Sequence, residues 1–514
     1  MMQIQKYVLN TLFFIAICLP IFLKLDMLPI QMWDESRNAI AAMEMMNNGD
    51  WFVRHYIGVA DNWETKPVLL MWVQILFFKL LGINVLAVRL PSALATLGIV
   101  YLMYSFFKNE LKNLEGGFFA GLALIVSEGF IRQHVSRTGD HDALLSFLLL
   151  WSLFEFYFII KNFYTKSIDN DLNKHFIRFA IATTAAVLTK SIVGFLWLPG
   201  FFLYALFSKK VVLILKNRSF YLASSIIISV VCGYYGICEY LHPGHFQDVW
   251  RMEMLPRYTN TAKNNTFTIL SDKWFYIKQI SYESRFFALW QLLPLSLLIG
   301  MDSNQTDEKR FTRLLLCVIS SFLIIISNGC ANGWYDAPIY PLLAMLVGIG
   351  LSFLYRQLVG RFSDNTTPLR PILYGLCFII FFFVLPYQQL FLKIYWTSEK
   401  DVEQKYGLLV RHLADVRPDW REYALAHNSY VAHFLFTMRM YNQKGYKLSG
   451  EHTSDVAKDS LYLKDLKIEQ KIVVFQKNVE KVLQSKYETE LLYAWEEYKL
   501  YRILHRKTQN GTAQ

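Results

Sequence analysis

The stretch MWDESRNAIAAMEMMNNGDWF, residues 32–52, follows directly on the first apolar segment of the chain. It crowds Asp34, Glu35 and Arg37 together at the point where the chain leaves that segment. From Glu35 to Asn48 the spacing predicts a helix. Ala39, Ala42, Met43 and Met46 fall on one face, with Arg37, Glu44 and Asn48 opposite. Gly49 is the expected stop, and Asp34 sits where an N-cap belongs. Read alone, the stretch is an interfacial helix with a capping Asp and a solvated polar face. Its surroundings give it more meaning.

The chain has 514 residues, 54% hydrophobic and 16% aromatic, with net charge +11. Its mean hydropathy is +0.26. The apolar residues are gathered into runs of roughly 17 to 24, the length that crosses a bilayer core as a helix. The runs are 7–26, 88–107, 116–135, 142–160, 176–190, 192–208, 219–240, 283–300, 311–327, 336–355 and 371–393. The expectation is an all-α polytopic membrane protein with about 11 transmembrane helices. The first run has no small-x-small cleavage site after it, so it reads as a retained span and not a signal peptide. Many basic residues lie in short loops between runs, where they orient the spans; no nucleic-acid partner is implied. The six cysteines lie mostly inside apolar runs and show neither a disulfide framework nor metal-ligand spacing.

Residues 67–82 are apolar too, but the charges argue against a span. With the N-terminus cytoplasmic and 67–82 not crossing, the inner loops hold Lys108 and Lys112, then Lys161 to Arg178, Lys209 to Arg218, Lys309 to Arg313, and Arg356 to Arg370. Every short basic loop then falls on one side. A crossing at 67–82 would invert every later loop. The segment is therefore read as a surface helix starting at Lys66-Pro67 and ending at Gly82. On this parity Asp34, Glu64, Asp140, Asp142, Lys190, Glu253, Arg257 and Tyr335 all reach the outer face, as does the chain after 393.

That last part differs in kind. Residues 421–427 and 471–476 read as strands, 430–440 and 479–487 as helices. The expected organisation is a membrane domain over 1–393, with a first outer loop 27–87, and a small soluble α/β domain over 394–514. No internal repeat or low-complexity tract appears.

Several outer segments carry charge. In DNWETKPVLLMW (61–72), Glu64 and Lys66 precede the surface helix; the bland reading is an aromatic anchor with an incidental ion pair, the functional one a cation for a lipid phosphate. In SRTGDHDALLSF (136–147), Asp140 and Asp142 bracket His141; Gly139 and Asp140 are ordinary turn residues, and a lone His is more often structural than a metal ligand. The loop 241–282 supplies Glu253 and Arg257, and NGWYDAPIYPLLAML (332–346) places Tyr335 at a span mouth. Each signal alone is weak. Together they bring carboxylates and cations from separated loops to one face. A transporter more typically puts ionisable groups at midplane on broken helices.

The DES-R-NAIAAMEMMNNGDW pattern, ETKP before a tryptophan-bearing helix, and an Asp opening the fourth span resemble the polyprenyl-phosphate-sugar-dependent glycosyltransferases. These are GT-C membrane enzymes of glycosyltransferase family 39, which include protein O-mannosyltransferases and lipid A aminoarabinose transferases. The similarity runs over about 30–350. The resemblance implies a GT-C fold with two juxtamembrane helices in the first outer loop. It matches Asp34 to the family's catalytic acid and Lys66 to the lysine that contacts the lipid phosphate. Asp142 and Glu64 join the catalytic set, and Arg257 and Tyr335 match positions that hold the donor phosphate. Glu35, Arg37, Arg89, Asp140, Lys190 and Glu253 are placed as supporting residues. Thr65 separates Glu64 from Lys66, where aminoarabinose transferases have the acid directly before the lysine. Position 254, where those enzymes carry a metal-binding His, is Met, so a divalent metal on Glu64 is left open. The activity implied is transfer of a sugar from an undecaprenyl-phosphate type donor to a lipid A, glycan or protein acceptor, at the periplasmic face of a bacterial inner membrane. The alternative is a lipid-linked sugar transporter or flippase.

Overall fold

The computed structural model describes residues 2–131, 134–165, 171–254, 272–281, 287–296, 306–329, 332–362, 369–396, 405–427, 432–452, 454–455, 460–461, 466–475 and 477–507. The chain divides into two compact units. One comprises residues 1–25, 41–80 and 86–398; the other comprises 26–40, 81–85 and 399–514.

The first unit is a helical membrane bundle. Among the described residues, six helices are long and apolar enough to cross a bilayer: Val85–Asn109, His141–Tyr164, Asp171–Phe195, Arg218–Leu241, Ala337–Gly360 and Ile372–Ile394. Four shorter apolar helices accompany them: Asn10–Phe22, Leu69–Leu81, Leu114–Ile125 and Leu198–Phe207. The Asp307–Ile326 helix adds a further amphipathic element. All eleven apolar runs thus meet helical residues; the run 283–300 is described only over 287–296, where the 3₁₀ helix Phe287–Leu292 is followed by α-helical residues 293–296. Several runs are not continuous α-helix. The 116–135 run breaks between Ile125 and Glu128. A 3₁₀ turn, Ser191–Phe195, follows Lys190, and a π turn, Ile380–Val384, interrupts the last run.

Local chemistry sets many boundaries. Asn113 accepts a hydrogen bond from Gly116 N–H, and Asn217 one from Ser219 N–H, capping the helices they precede. Gly49 and Gly82 take the left-handed conformation that ends the helices before them, as expected from sequence. The helix expected at the surface forms as Leu69–Leu81, two residues later than the Pro67 start expected. Small residues permit close contact between Leu114–Ile125 and Tyr340–Phe362: a Cβ on Gly348 would lie 2.4 Å from the Gly116 carbonyl oxygen. Phe106 stacks on Phe154 at 4.3 Å between centroids, with Phe311 at 4.5 Å from Phe106, within one continuous core.

The second unit contains a mixed five-stranded sheet in the order Lys447–His452, Glu422–His427, Lys471–Val474, Tyr498–Arg506, Tyr487–Trp495. The first two pairings are parallel and the last two antiparallel. The strands and helices expected near 421–427, 430–440, 471–476 and 479–487 are present as Glu422–His427, Ala432–Asn442, Lys471–Val474 and Lys477–Lys486. Within this unit Arg411 donates to the carbonyl oxygens of Met27 and Asp26, at 2.7 and 3.3 Å.

The opening helix corrects two expectations. It runs Asp34–Asn48, and Arg37 N–H bonds to the Trp33 carbonyl, so Asp34 is the first helical residue and not the cap. Asn48, expected on the polar face, is exposed, but the charged residues of that face are not solvated. Glu35 is 1%, Arg37 8% and Glu44 7% exposed. Glu35 accepts from Gln31 N–H at 2.7 Å, and Glu44 from Gly58 N–H at 2.9 Å, so loop backbone replaces water around these carboxylates.

Candidate active site

Two helix ends build the first part of the site. Asp142 lies in the first turn of His141–Thr165, and Lys190 in the last turn of Asp171–Lys190. The two helices are connected in sequence and pack side by side, so these ends meet. A carboxylate suits the positive end of a helix dipole and an ammonium the negative end. Lys190 Nζ donates to both carboxylate oxygens of Asp142, at 2.6 and 2.8 Å. Both side chains are 5% exposed. Ser191, directly after Lys190, has φ +52°, a strained conformation for a residue with a Cβ. Its hydroxyl bonds to Tyr235 at 3.0 Å. The Tyr335 ring lies 5.5 Å from Lys190 Nζ.

Asp142, Lys190 and Tyr335 form the polar end of a cleft. Val193, Leu196, Phe322, Ile325, Ile326 and Pro338 line the rest. One end therefore offers charge and hydrogen bonds, while the remainder is apolar.

A hairpin builds the second part. His55–Tyr56 pairs antiparallel with Val59–Ala60. Ile57 and Gly58 both have positive φ, the geometry of a tight two-residue hairpin turn. Asp61 N–H bonds to the Arg54 carbonyl at 2.8 Å, closing the hairpin's base. Asp61 Oδ1 then accepts from Trp63 and Glu64 N–H, each at 3.1 Å, which turns the chain and aims Glu64 back. Glu64 Oε1 is 2.7 Å from Lys66 Nζ and 3.6 Å from an Arg54 nitrogen. Sequence reasoning missed Arg54, although an arginine flanked by Phe52, Val53 and Tyr56 was a visible signal. It is only 2% exposed.

The two parts are neighbours. His141, buried between Asp140 and Asp142, feels the charges of Lys66, Arg54 and Lys190. Gln74, on Leu69–Leu81, donates to the Gly139 carbonyl at 3.2 Å and so ties that helix to the segment preceding Asp142.

The other expected residues take varied places. Asp140 is buried, 3.3 Å from His134 Nδ1, and the His134 ring stacks on Trp334 at 4.0 Å. Arg89 is buried and donates to the Leu25 carbonyl at 2.8 Å, a contact that braces the bundle. Glu253 is buried in the π turn Trp250–Met254. Arg257 lies outside the described residues. Asp34, Glu35 and Arg37 belong to the second unit, with Asp34 partly exposed at the start of its helix. The metal reading of Glu64 fits poorly. Its Oε1 already faces two cations, and a divalent ion there would meet both charges at close range.

The geometry and fold define a class, a polytopic membrane protein of the GT-C fold with a charged site at the ends of its helices. Comparison with known proteins agrees. Residues 65–235 match the family described as dolichyl-phosphate-mannose-protein mannosyltransferase. ArnT from Cupriavidus metallidurans, solved bound to undecaprenyl phosphate, superposes with TM-score 0.65 over 96% of this chain and 97% of that one, at 16% identity. An undecaprenyl phosphate-alpha-4-amino-4-deoxy-L-arabinose arabinosyl transferase of Aeromonas hydrophila is 28% identical over 193 residues, 38% of this chain and 33% of that protein. Its counterpart in Aeromonas salmonicida is 30% identical over 165 residues, 31% and 27% of the respective chains. The chain thus spans a third or less of these two curated relatives. A longer match, 23% identical over 393 residues, is to an uncharacterized protein of Aquifex aeolicus, covering 70% of this chain and 72% of that one. The resemblance to the polyprenyl-phosphate-sugar-dependent glycosyltransferases therefore holds.

Proposed function

We propose that this chain is a membrane glycosyltransferase that takes a sugar from a polyprenyl-phosphate donor and passes it to a lipid A, glycan or protein acceptor. The observation that carries the reading is the cleft with Lys190, Asp142 and Tyr335 at one end and apolar side chains along the rest. That gradient suits an amphiphile with an anionic head and a hydrocarbon tail. The relatives named for undecaprenyl-phosphate substrates support the same donor class.

Breaking the sugar–phosphate bond leaves the bonding electrons and a growing negative charge on the phosphate oxygen. Lys66 and Lys190 stabilise that charge, with Arg54 holding Glu64 beside Lys66 and Tyr335 donating a hydrogen bond. Arg257 is assigned to the same phosphate by its place in the family pattern. Asp34 acts on the acceptor. A hydroxyl acceptor needs a general base to take its proton as it attacks the anomeric carbon. A phosphate acceptor is already ionised, and there Asp34 orients it. The charge parity of the loops supports a reaction on the periplasmic side of a bacterial inner membrane.

The test uses purified protein in liposomes with a labelled undecaprenyl-phosphate sugar and a crude envelope extract. Wild type should release undecaprenyl phosphate and label one envelope component, while Lys66→Ala and Asp34→Asn should not. Movement of intact donor across the bilayer, with no cleavage, would establish the flippase instead.

A further inference from the structure

Away from the cleft, two histidines and an aspartate from separated segments converge. Asp50 follows the opening helix, His55 starts the hairpin, and His242 caps the Arg218–Leu241 helix. One ligand atom from each lies within 4.8 Å of the others. We propose that Asp50, His55 and His242 form a binding site for a divalent transition-metal cation of the zinc class, which fastens the 50–55 turn to the end of the Arg218–Leu241 helix.

The argument begins with Asp50. Its Oδ1 accepts from Phe52 and Val53 N–H at 3.0 and 3.1 Å, which fixes the carboxylate. Its Oδ2 faces both imidazoles, 2.7 Å from His242 Nε2 and 3.7 Å from His55 Nε2. The second step concerns His55. Its Nδ1 lies 3.1 Å from the Val53 carbonyl oxygen. A carbonyl only accepts, so Nδ1 carries the hydrogen, and the neutral ring has its lone pair on Nε2. With the ring neutral, Nε2 and the carboxylate oxygen are two electron-rich atoms facing each other, an arrangement that a metal cation or a proton between them stabilises. The Val53 carbonyl supplies the outer partner that a metal-bound histidine characteristically has on its other nitrogen.

The dimensions agree. Zinc bonds of about 2.0–2.2 Å in a tetrahedron separate neighbouring ligand atoms by about 3.3 Å. The observed 2.7 and 3.7 Å straddle that value. Three ligands leave a fourth position for water. Two imidazoles and one carboxylate favour zinc, cobalt, nickel or copper over magnesium or calcium. The surroundings are organised independently of any ion. The Phe52 carbonyl accepts from Tyr234 Oη at 3.0 Å and from Cys238 Sγ at 3.4 Å, which holds the turn against the same helix that ends in His242. Pro243 and Gly244, the latter at φ +98°, end that helix and fix where His242 projects. The set shares no residue with Glu64 or position 254, and it does not depend on the transferase reading.

The test is direct metal binding by the full-length protein in detergent, without a polyhistidine tag, after chelator treatment. Zn²⁺ is titrated calorimetrically, and Co²⁺ is added to read coordination from its visible spectrum. The expected result is one tight Zn²⁺ per chain and an intense four-coordinate Co²⁺ band. His55→Ala and His242→Ala should each weaken Zn²⁺ more than about hundredfold, beyond what loss of an outer partner costs. Glu64→Gln should bind as wild type. Should a histidine variant misfold, the wild-type Co²⁺ spectrum still decides, because it needs no substitution. No stoichiometric uptake by wild type would mean an Asp–His ion pair with a proton in place of the metal, and would overturn the proposal. Zn²⁺ retained by both histidine variants, or lost on Glu64→Gln alone, would overturn it as well.

Discussion

The Asp142–Lys190 pair gives a prediction that separates structure from function. Both side chains are 5% exposed and joined by two short hydrogen bonds. Lys190→Met removes the cation and leaves Asp142 buried with its partner gone. Breaking such a pair costs about 3–5 kcal/mol, a large fraction of a typical folding free energy. Replacing both partners, as Asp142→Asn with Lys190→Met, is by contrast often neutral, because no uncompensated charge remains. Thermal unfolding in detergent should therefore show a marked loss for Lys190→Met and recovery of most of it in the double variant. Donor binding should not recover. A lost charge-assisted bond to phosphate is worth about 1.5–3 kcal/mol, so the double variant should bind undecaprenyl phosphate roughly tenfold to a hundredfold more weakly than wild type. A double variant that is stable and binds undecaprenyl phosphate as wild type does would refute the reasoning: Lys190 would then be a structural partner of Asp142 and nothing more.

Lys66→Ala should weaken undecaprenyl-phosphate binding by a similar roughly tenfold to hundredfold, measured by competition in nanodiscs; unchanged affinity would remove Lys66 from the donor site. Asp34→Asn should abolish sugar transfer while thermal unfolding stays near wild type, and unaltered turnover would end its catalytic assignment. Gly348→Ala brings a Cβ to 2.4 Å from the Gly116 carbonyl oxygen and should destabilise by about 1–3 kcal/mol, whereas Gly360→Ala on the same helix meets nothing within 4 Å and should be neutral or stabilising. Equal melting of the two glycine variants would contradict the close helix packing. Single cysteines at Asn62 and Lys444 should react with an impermeant maleimide added outside, and one at Lys216 should not; the opposite pattern would invert the topology.

Much of the membrane unit was legible because a spanning helix needs a long apolar run, and such runs survive local irregularity. One break was legible: the polar pair Lys190-Ser191 separates the runs 176–190 and 192–208, where the Ser191–Phe195 turn begins. The π turn at Ile380 was not, because it sits in unremarkable apolar sequence and only packing shows that helix geometry changes there. In the second unit, Glu422–His427 and Lys471–Val474 are short and apolar and announced themselves. Tyr487–Trp495 and Tyr498–Arg506 did not. Their connection is Glu496-Glu497, with Glu496 at φ +49°, where a hairpin signal would be Asn-Gly. The Arg54–Glu64 contact hid for the same reason. Its turn places Ile57, a β-branched residue, at φ +56°, a conformation that composition does not advertise.

The site itself was half legible, and the reason is geometric. Loop charges assign each helix end to a face, so Asp142 and Lys190 were expected on the same side although 48 residues separate them. That argument has no angular content: it says which end of a helix a residue occupies and not which neighbour it faces. The missing angle is partly recoverable from the backbone. Sequential spans run antiparallel, so the start of one lies beside the end of the next. Acids then gather at N-termini and bases at C-termini on one surface, each stabilised by its own helix dipole before any partner arrives. Asp142 and Lys190 follow this rule. Glu64 and Lys66 do not, because a hairpin and an aspartate-capped turn deliver them. A charged site at helix ends therefore has a part that topology dictates and a part that loops add. The first part offers a fixed ion pair at the mouth of an apolar cleft. The second brings Arg54 and Lys66, cations suited to an anionic headgroup.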